Sequence, residues 1–142
     1  MYQRILVALE NGSADQTLLR HVQELAARLG SELLLVHVAE GFAARHFEQL
    51  KLAESEEMKE DRAYLEREAE KLRADGLSVK TVLVLGNPPQ EILKTAETSQ
   101  CDLIAMGSHG HRLFGDIIHG STVHGVRHGS SIPVLVVPAR KY

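Results

Sequence analysis

RILVALENGSADQTLLRHVQELAARLGSELLLVHV, residues 4–38, carries the fold class in a single stretch. Its two ends, RILVAL (4–9) and LLLVHV (33–38), are short continuous runs of Leu, Ile, Val and Ala. A half-exposed strand would alternate apolar with polar, so both runs predict strands covered on both faces, as in a parallel sheet. Between them Ser13 and Gln16 have the spacing of a capping box, and Leu18, Val22, Leu25, Ala26 and Leu29 recur at helical intervals until Gly30 ends the pattern. Strand, helix and strand in this order form a right-handed crossover between parallel neighbours.

The same logic extends along the chain. Met58, Leu65, Ala69 and Leu72 share one face of a helix, whereas residues 41–55 show a weaker pattern that suits either a loop or a separate short helix. Residues 79–85 predict a third strand. Asn87 then offers an N-cap, Pro88 a first-turn proline and Gln90 an acceptor, opening a helix through Ala96. Residues 103–106 predict strand four, a glycine-rich loop follows, and a helix is expected from near Ser121 to Gly129. Residues 133–137 complete the set as a strand bracketed by Pro133 and Pro138, which reads as a sheet edge. Five strands separated by helices predict an α/β, single-domain, doubly wound parallel sheet with helices on both faces. Ligands of such sheets bind beyond the carboxyl ends of the strands, which singles out the loops after Leu9, Val38, Leu85 and Met106.

Composition limits the partners. The 142 residues suffice for one core without metal or disulfide, and the 4% aromatic content without Trp predicts a core of Leu, Val, Ile and Ala. A net charge of −3 with no block of Lys and Arg argues against nucleic acid and against acidic membrane surfaces. Cys101 is the only cysteine, so no internal disulfide is possible, and its place before the apolar DLIAM run predicts a buried thiol. With no apolar run of spanning length and no signal-like start, the expectation is a cytoplasmic protein without membrane insertion.

The chemistry concentrates in GSHGHRLFGDIIHGST, residues 107–122: Gly107, two residues, Gly110, nine residues, Gly120, then Ser121 and Thr122. Glycines let a backbone approach a phosphate without an intervening Cβ, and the free N–H groups of a helix start attract anions. On this reading Ser121 and Thr122 add hydroxyl donors at the start of the following helix. Neither a P-loop lysine nor a GxGxxG after strand one is present. Fixed positive charge near the loop comes only from Arg112 and Arg127, so Mg²⁺ is a candidate to share the phosphate charge.

With ILVAL before a helix, LLLVHV as strand two, GNPPQEIL, and the Gly-x₂-Gly-x₉-Gly-Ser spacing leading to PVLVV, the whole chain closely resembles the universal stress protein family. The resemblance implies a nucleotide-binding, stress-response or regulatory protein of the ATP-binding type. It also implies strand order 3-2-1-4-5, a homodimer built on the last strand, an assembly open to higher oligomers, and an unknown client protein. The implied ligand is ATP, with ADP or AMP as alternatives. Adenine and ribose are placed by it near Ala8, Leu9, Glu10, Val38 and Met106. Phosphates fall on Gly107, His109, Gly110, Gly120, Ser121 and Thr122, with Val123 adjacent. Glu10 stands where the family usually has an aspartate, and His119 where an apolar residue is usual.

His109 and His111, or His124 and His128, have spacings that zinc accepts, but without cysteines nearby and with only Asp116 at ligand spacing, solvated or phosphate-contacting histidines are expected and no dedicated metal site. His37 is expected to be a satisfied core residue, and His21 and His46 surface residues. Slow or no ATP turnover is expected, since nothing in the sequence aligns Glu10 or Asp116 with a γ-phosphate. A nucleotide-independent dimeric interaction module is the alternative, working through the edge strand or residues 41–55.

Overall fold

The computed structural model describes the backbone of residues 1–39, 56–108 and 114–139, and the side chains of these except 114–121. Nine elements alternate: β1 (Arg4–Ala8), α1 (Asp15–Leu29), β2 (Glu32–Ala39), α2 (Glu56–Ala74), β3 (Ser78–Leu85), α3 (Pro88–Thr98), β4 (Leu103–Ser108), α4 (Phe114–Gly129) and β5 (Val134–Pro138). All described strand pairs are parallel, in the order β3-β2-β1-β4-β5. β5 is therefore an edge, as its flanking prolines predict.

Alternation along the central strands sends side chains to two separate cores. Ile5, Val7, Leu33 and Leu35 pack with Leu18, Val22, Leu65 and Ala69 of α1 and α2 on one face. Leu6, Leu34, Val36 and Ile104 pack with Ile92, Ala96 and Val126 of α3 and α4 on the other. Because both faces are covered there, the buried stretches Ile5–Val7 and Leu33–Val36 carry no polar alternate, which is why they read as continuous apolar runs. Cys101 lies in the second core, and burial pushes its thiol up to about 11, against a smaller opposing pull from Arg4.

Local signals agree with the sequence in part. Gly30 takes the left-handed conformation, φ 70°, and its N–H donates to the Ala26 carbonyl. Asn87 is the N-cap of α3 with proline in the first turn, although its side chain makes no capping bond, and the helix runs to Thr98 instead of Ala96. The Ser13–Gln16 capping box does not form. Ala14 is the N-cap of α1, and Gln16 reaches sideways to Glu68 of α2 at 3.2 Å. The Asp15 carboxylate takes over the loop N–H groups that the box would have left to other acceptors.

Two corrections bear on the glycine motif. β4 continues through Gly107 and Ser108, paired with Val137 and Pro138, so Gly107 is a strand residue and not the first residue of a loop. α4 begins at Phe114, so Gly120 and Ser121 lie inside the helix and not at its start. Helical hydrogen bonding propagates through glycine at modest cost, roughly 1 kcal/mol each relative to alanine, so the helix can extend back past them to Phe114. Residues 41–55, including His46, and His109, Gly110, His111 and Arg112 lie outside the described residues.

Candidate functional site

The strand order reverses between β1 and β4, whose carboxyl ends run side by side with Ala8 opposite Met106. Beyond that register Leu9 continues the sheet by one bond, its N–H donating to the Val36 carbonyl at 2.8 Å. On the other side Gly107 lies under α1. A Cβ built on it would sit in ordinary van der Waals contact, 3.4 Å from the Ala14 Cβ and 3.8 Å from the Leu18 Cβ, which places the first turn of α1 over the end of β4.

Next to this crevice, between the ends of β1 and β2 and the first turns of α2, is a cleft of about 380 Å³. It is lined by Glu10, Asn11, His37, Val38, Ala39, Glu57, Met58, Glu60 and Asp61. Of the expected base-end residues, Glu10 and Val38 border it. Leu9 and Met106 are instead 3% and 4% exposed and serve the two cores, so their backbones are what they turn toward the crevice. Among the described residues four carboxylates line the cleft and no Lys or Arg does, which suits a donor-rich edge such as an amino or hydroxyl group and disfavours phosphate.

Its floor is held by paired polar groups. His37 follows Leu33 and Leu35 on the strand face beneath α2. Its Nδ1 lies 2.8 Å from the Leu9 carbonyl, and its Nε2 lies 3.2 Å from Asp61 Oδ2. Since a carbonyl only accepts, Nδ1 carries the proton in that contact. Asp61 also accepts a bond from the Asn11 amide at 3.0 Å. His37 is hydrogen-bonded but, against expectation, is a half-buried part of the cleft wall and belongs to neither core; His21 is exposed, as expected.

A second tie comes from Tyr64, one turn further along α2, whose hydroxyl donates to Asp15 Oδ2 at 2.6 Å. Burial, then the hydrogen bond and charge of Asp15, then Glu68 raise the Tyr64 hydroxyl well above its usual range, with Arg67 opposing weakly. The folded state therefore holds this proton more tightly than the unfolded chain does. Its contribution is fully present below about pH 10 and declines as pH rises above that value. Urea midpoints between pH 8 and 11 should fall more steeply for the native chain than for Tyr64→Phe; parallel curves would exclude Tyr64 as the source.

A model of the universal stress protein family matches residues 1–138. The chain belongs to the universal stress protein family. Universal stress protein MJ0577 of Methanocaldococcus jannaschii is 32% identical over 157 residues, covering 96% of this chain and 95% of that one. YxiE of Bacillus subtilis is 28% identical over 149 residues, covering 96% and 99%. A solved structure of MJ0577 matches with a TM-score of 0.83 at 30% identity, across 100% of this chain and 99% of that one. A universal stress protein of Archaeoglobus fulgidus, solved in complex with dAMP, shares the fold at a TM-score of 0.72 and 22% identity, covering 96% and 98%. A universal stress protein solved in complex with cAMP shares the fold at a TM-score of 0.72 and 18% identity, covering 98% of both chains.

In this universal stress protein the expected phosphate-end residues divide into three groups. Gly107 is placed at the crevice by β4. Thr122 and Val123 are half-buried on α4, and Val123 packs against the α3/α4 core. His109 and Gly110 lie outside the described residues, while Gly120 and Ser121 are known here by their helical backbone. His124 and His128 are exposed with ring centroids 4.0 Å apart, and among the described residues no group of three or more His, Cys, Asp or Glu is placed to hold a metal. No helix among the described residues is long and apolar enough to cross a membrane. Asn11, Asp15, Asp61 and Tyr64 escaped sequence reasoning, since single polar residues in a loop or amphipathic helix look like ordinary surface positions. The one available signal was Asp15, an acid in the first turn of a helix.

Proposed function

We propose that this universal stress protein binds an adenine nucleotide across the β1–β4 crevice. Base and ribose lie against Ala8, Leu9, Glu10, Val38 and Met106. The phosphates extend along Gly107 toward Gly110, Gly120, Ser121 and Thr122. The observation that carries this reading is the meeting of β1 and β4 at the reversal of strand order, with an acidic, phosphate-averse cleft on one side and Gly107 on the other. The adenine nucleotides held by structural relatives support it. ATP with Mg²⁺ is the ligand we favour, with occupancy acting as a regulatory signal in the cytoplasm and at most slow hydrolysis.

Thermal melts with millimolar AMP or ATP, with and without Mg²⁺, test the reading. Ligand at 100 times its Kd stabilises the native state by about 2.7 kcal/mol, a readily measured rise in Tm. An unmoved Tm for every nucleotide, together with a nucleotide-free mass spectrum of purified protein, would overturn it.

The edge position of β5 favours a second reading, in which a homodimer pairs through that strand and presents a client surface without needing nucleotide. A dimer that forms equally well in nucleotide-free protein, with no thermal response to ATP, would favour this module over the sensor.

A further inference from the structure

We propose that Asp15 is a built-in anion that closes the β1–α1 loop to phosphate and so sets which way round a nucleotide lies in the crevice. The orientation part rests on the nucleotide reading above. Three consecutive backbone N–H groups converge on the Asp15 carboxylate. Glu10 donates to Oδ1 at 3.0 Å, and Asn11 and Gly12 donate to Oδ2 at 2.8 and 3.3 Å. Asn11 has φ 62°, the left-handed turn that lets successive N–H groups point to one spot. Such a concavity is an anion-binding nest, and in doubly wound sheets the turn after strand one is the usual place for a phosphate. Here its occupant is the chain's own carboxylate, 2% exposed and also bonded by the Tyr64 hydroxyl at 2.6 Å.

A phosphate seeking those N–H groups would meet a buried negative charge within a few ångströms and find each donor already used. Phosphates are therefore turned away from β1 and toward Gly107 and α4. The same bonds hold the Glu10 backbone in place, leaving that residue at the base end of the cleft. Asp15 touches no ligand in this scheme; it is a positioning residue.

The test uses the full chain, labelled with ¹⁵N, and compares native protein with Asp15→Gly and Asp15→Ser. Sodium sulfate is the anion probe, against sodium chloride at equal ionic strength. In the native chain the Glu10, Asn11 and Gly12 amide signals should not respond to sulfate. In Asp15→Gly they should shift saturably, AMP affinity should fall by about ten-fold, and formate, a free carboxylate, should restore much of it. Asp15→Ser keeps one acceptor for the loop and should show the same sulfate response at smaller amplitude, so a misfolded Asp15→Gly leaves the test standing. Sulfate shifts of equal size in native and variant chains, or AMP affinity unchanged in both variants, would overturn the assignment. A native chain that binds neither AMP nor ATP would instead overturn the nucleotide reading, and the sulfate response alone would then decide the role of Asp15.

Discussion

Leu35→Ala should lower the unfolding free energy by about 2–5 kcal/mol, the range for a large aliphatic side chain removed from a close-packed core. Leu35 is 0% exposed and lies on β2, an interior strand, between Val7 of β1 and Thr81 of β3. Its side chain belongs to the α1/α2 core, where rigid strands on both sides and two helices above limit collapse into the vacated space. Urea denaturation measures the loss. Leu29→Ala is the matched control: Leu29 is 42% exposed at the end of α1, and its truncation should stay within about 0.5 kcal/mol of the native chain. Equal effects at the two positions would contradict the core assignment.

Gly120→Ala should separate stability from binding. α4 carries glycine at positions 115, 120, 125 and 129, and each interior glycine costs a helix roughly 1 kcal/mol relative to alanine. For Gly125 the reason is steric, because an added Cβ would lie 2.9 Å from the Pro89 Cβ at the start of α3. For Gly120 the reason we propose is close approach of a phosphate. Alanine at 120 should hold the Tm or raise it while weakening ATP binding by about ten-fold or more, through lost backbone contact. Gly125→Ala should do the reverse, lowering Tm by pushing α4 off α3. Calorimetric titration with ATP and Mg²⁺, paired with melts of the same samples, reads both effects. Native affinity in Gly120→Ala would remove this glycine from the site.

The fold was legible because buried parallel strands leave a signature that no surface element shares. Ile5–Val7 and Leu33–Val36 contain no polar residue, and the sheet places these stretches with both faces covered by helices. Turn and cap signals were less reliable where long-range contacts intervened. Ser13 has the spacing of a cap, yet Ala14 is the N-cap of α1, Gln16 turns to Glu68 of α2, and Asp15 bonds to Tyr64 of that same helix. The start of α4 differs from expectation because glycines read as helix punctuation, whereas the helix begins six residues before Gly120.

The binding side of the sheet was also predictable, since it follows from strand direction and strand order. The contents of the cleft were not. Tyr64 is 49 residues from Asp15, and Asp61 is 50 residues from Asn11, so no local periodicity links them.

By itself the sequence determined the α/β class and the succession of strands and helices, because each is written in residues close together along the chain. Only the tertiary structure decided that Gly107 belongs to a strand, that an acidic cleft adjoins it, and that Asp15 fills the nest after β1. Gly107 joins β4 through pairing with β5, whereas the cleft and the Tyr64 bond to Asp15 need α2 docked over β1 and β2, and such contacts between distant segments exist only once the sheet has brought them together.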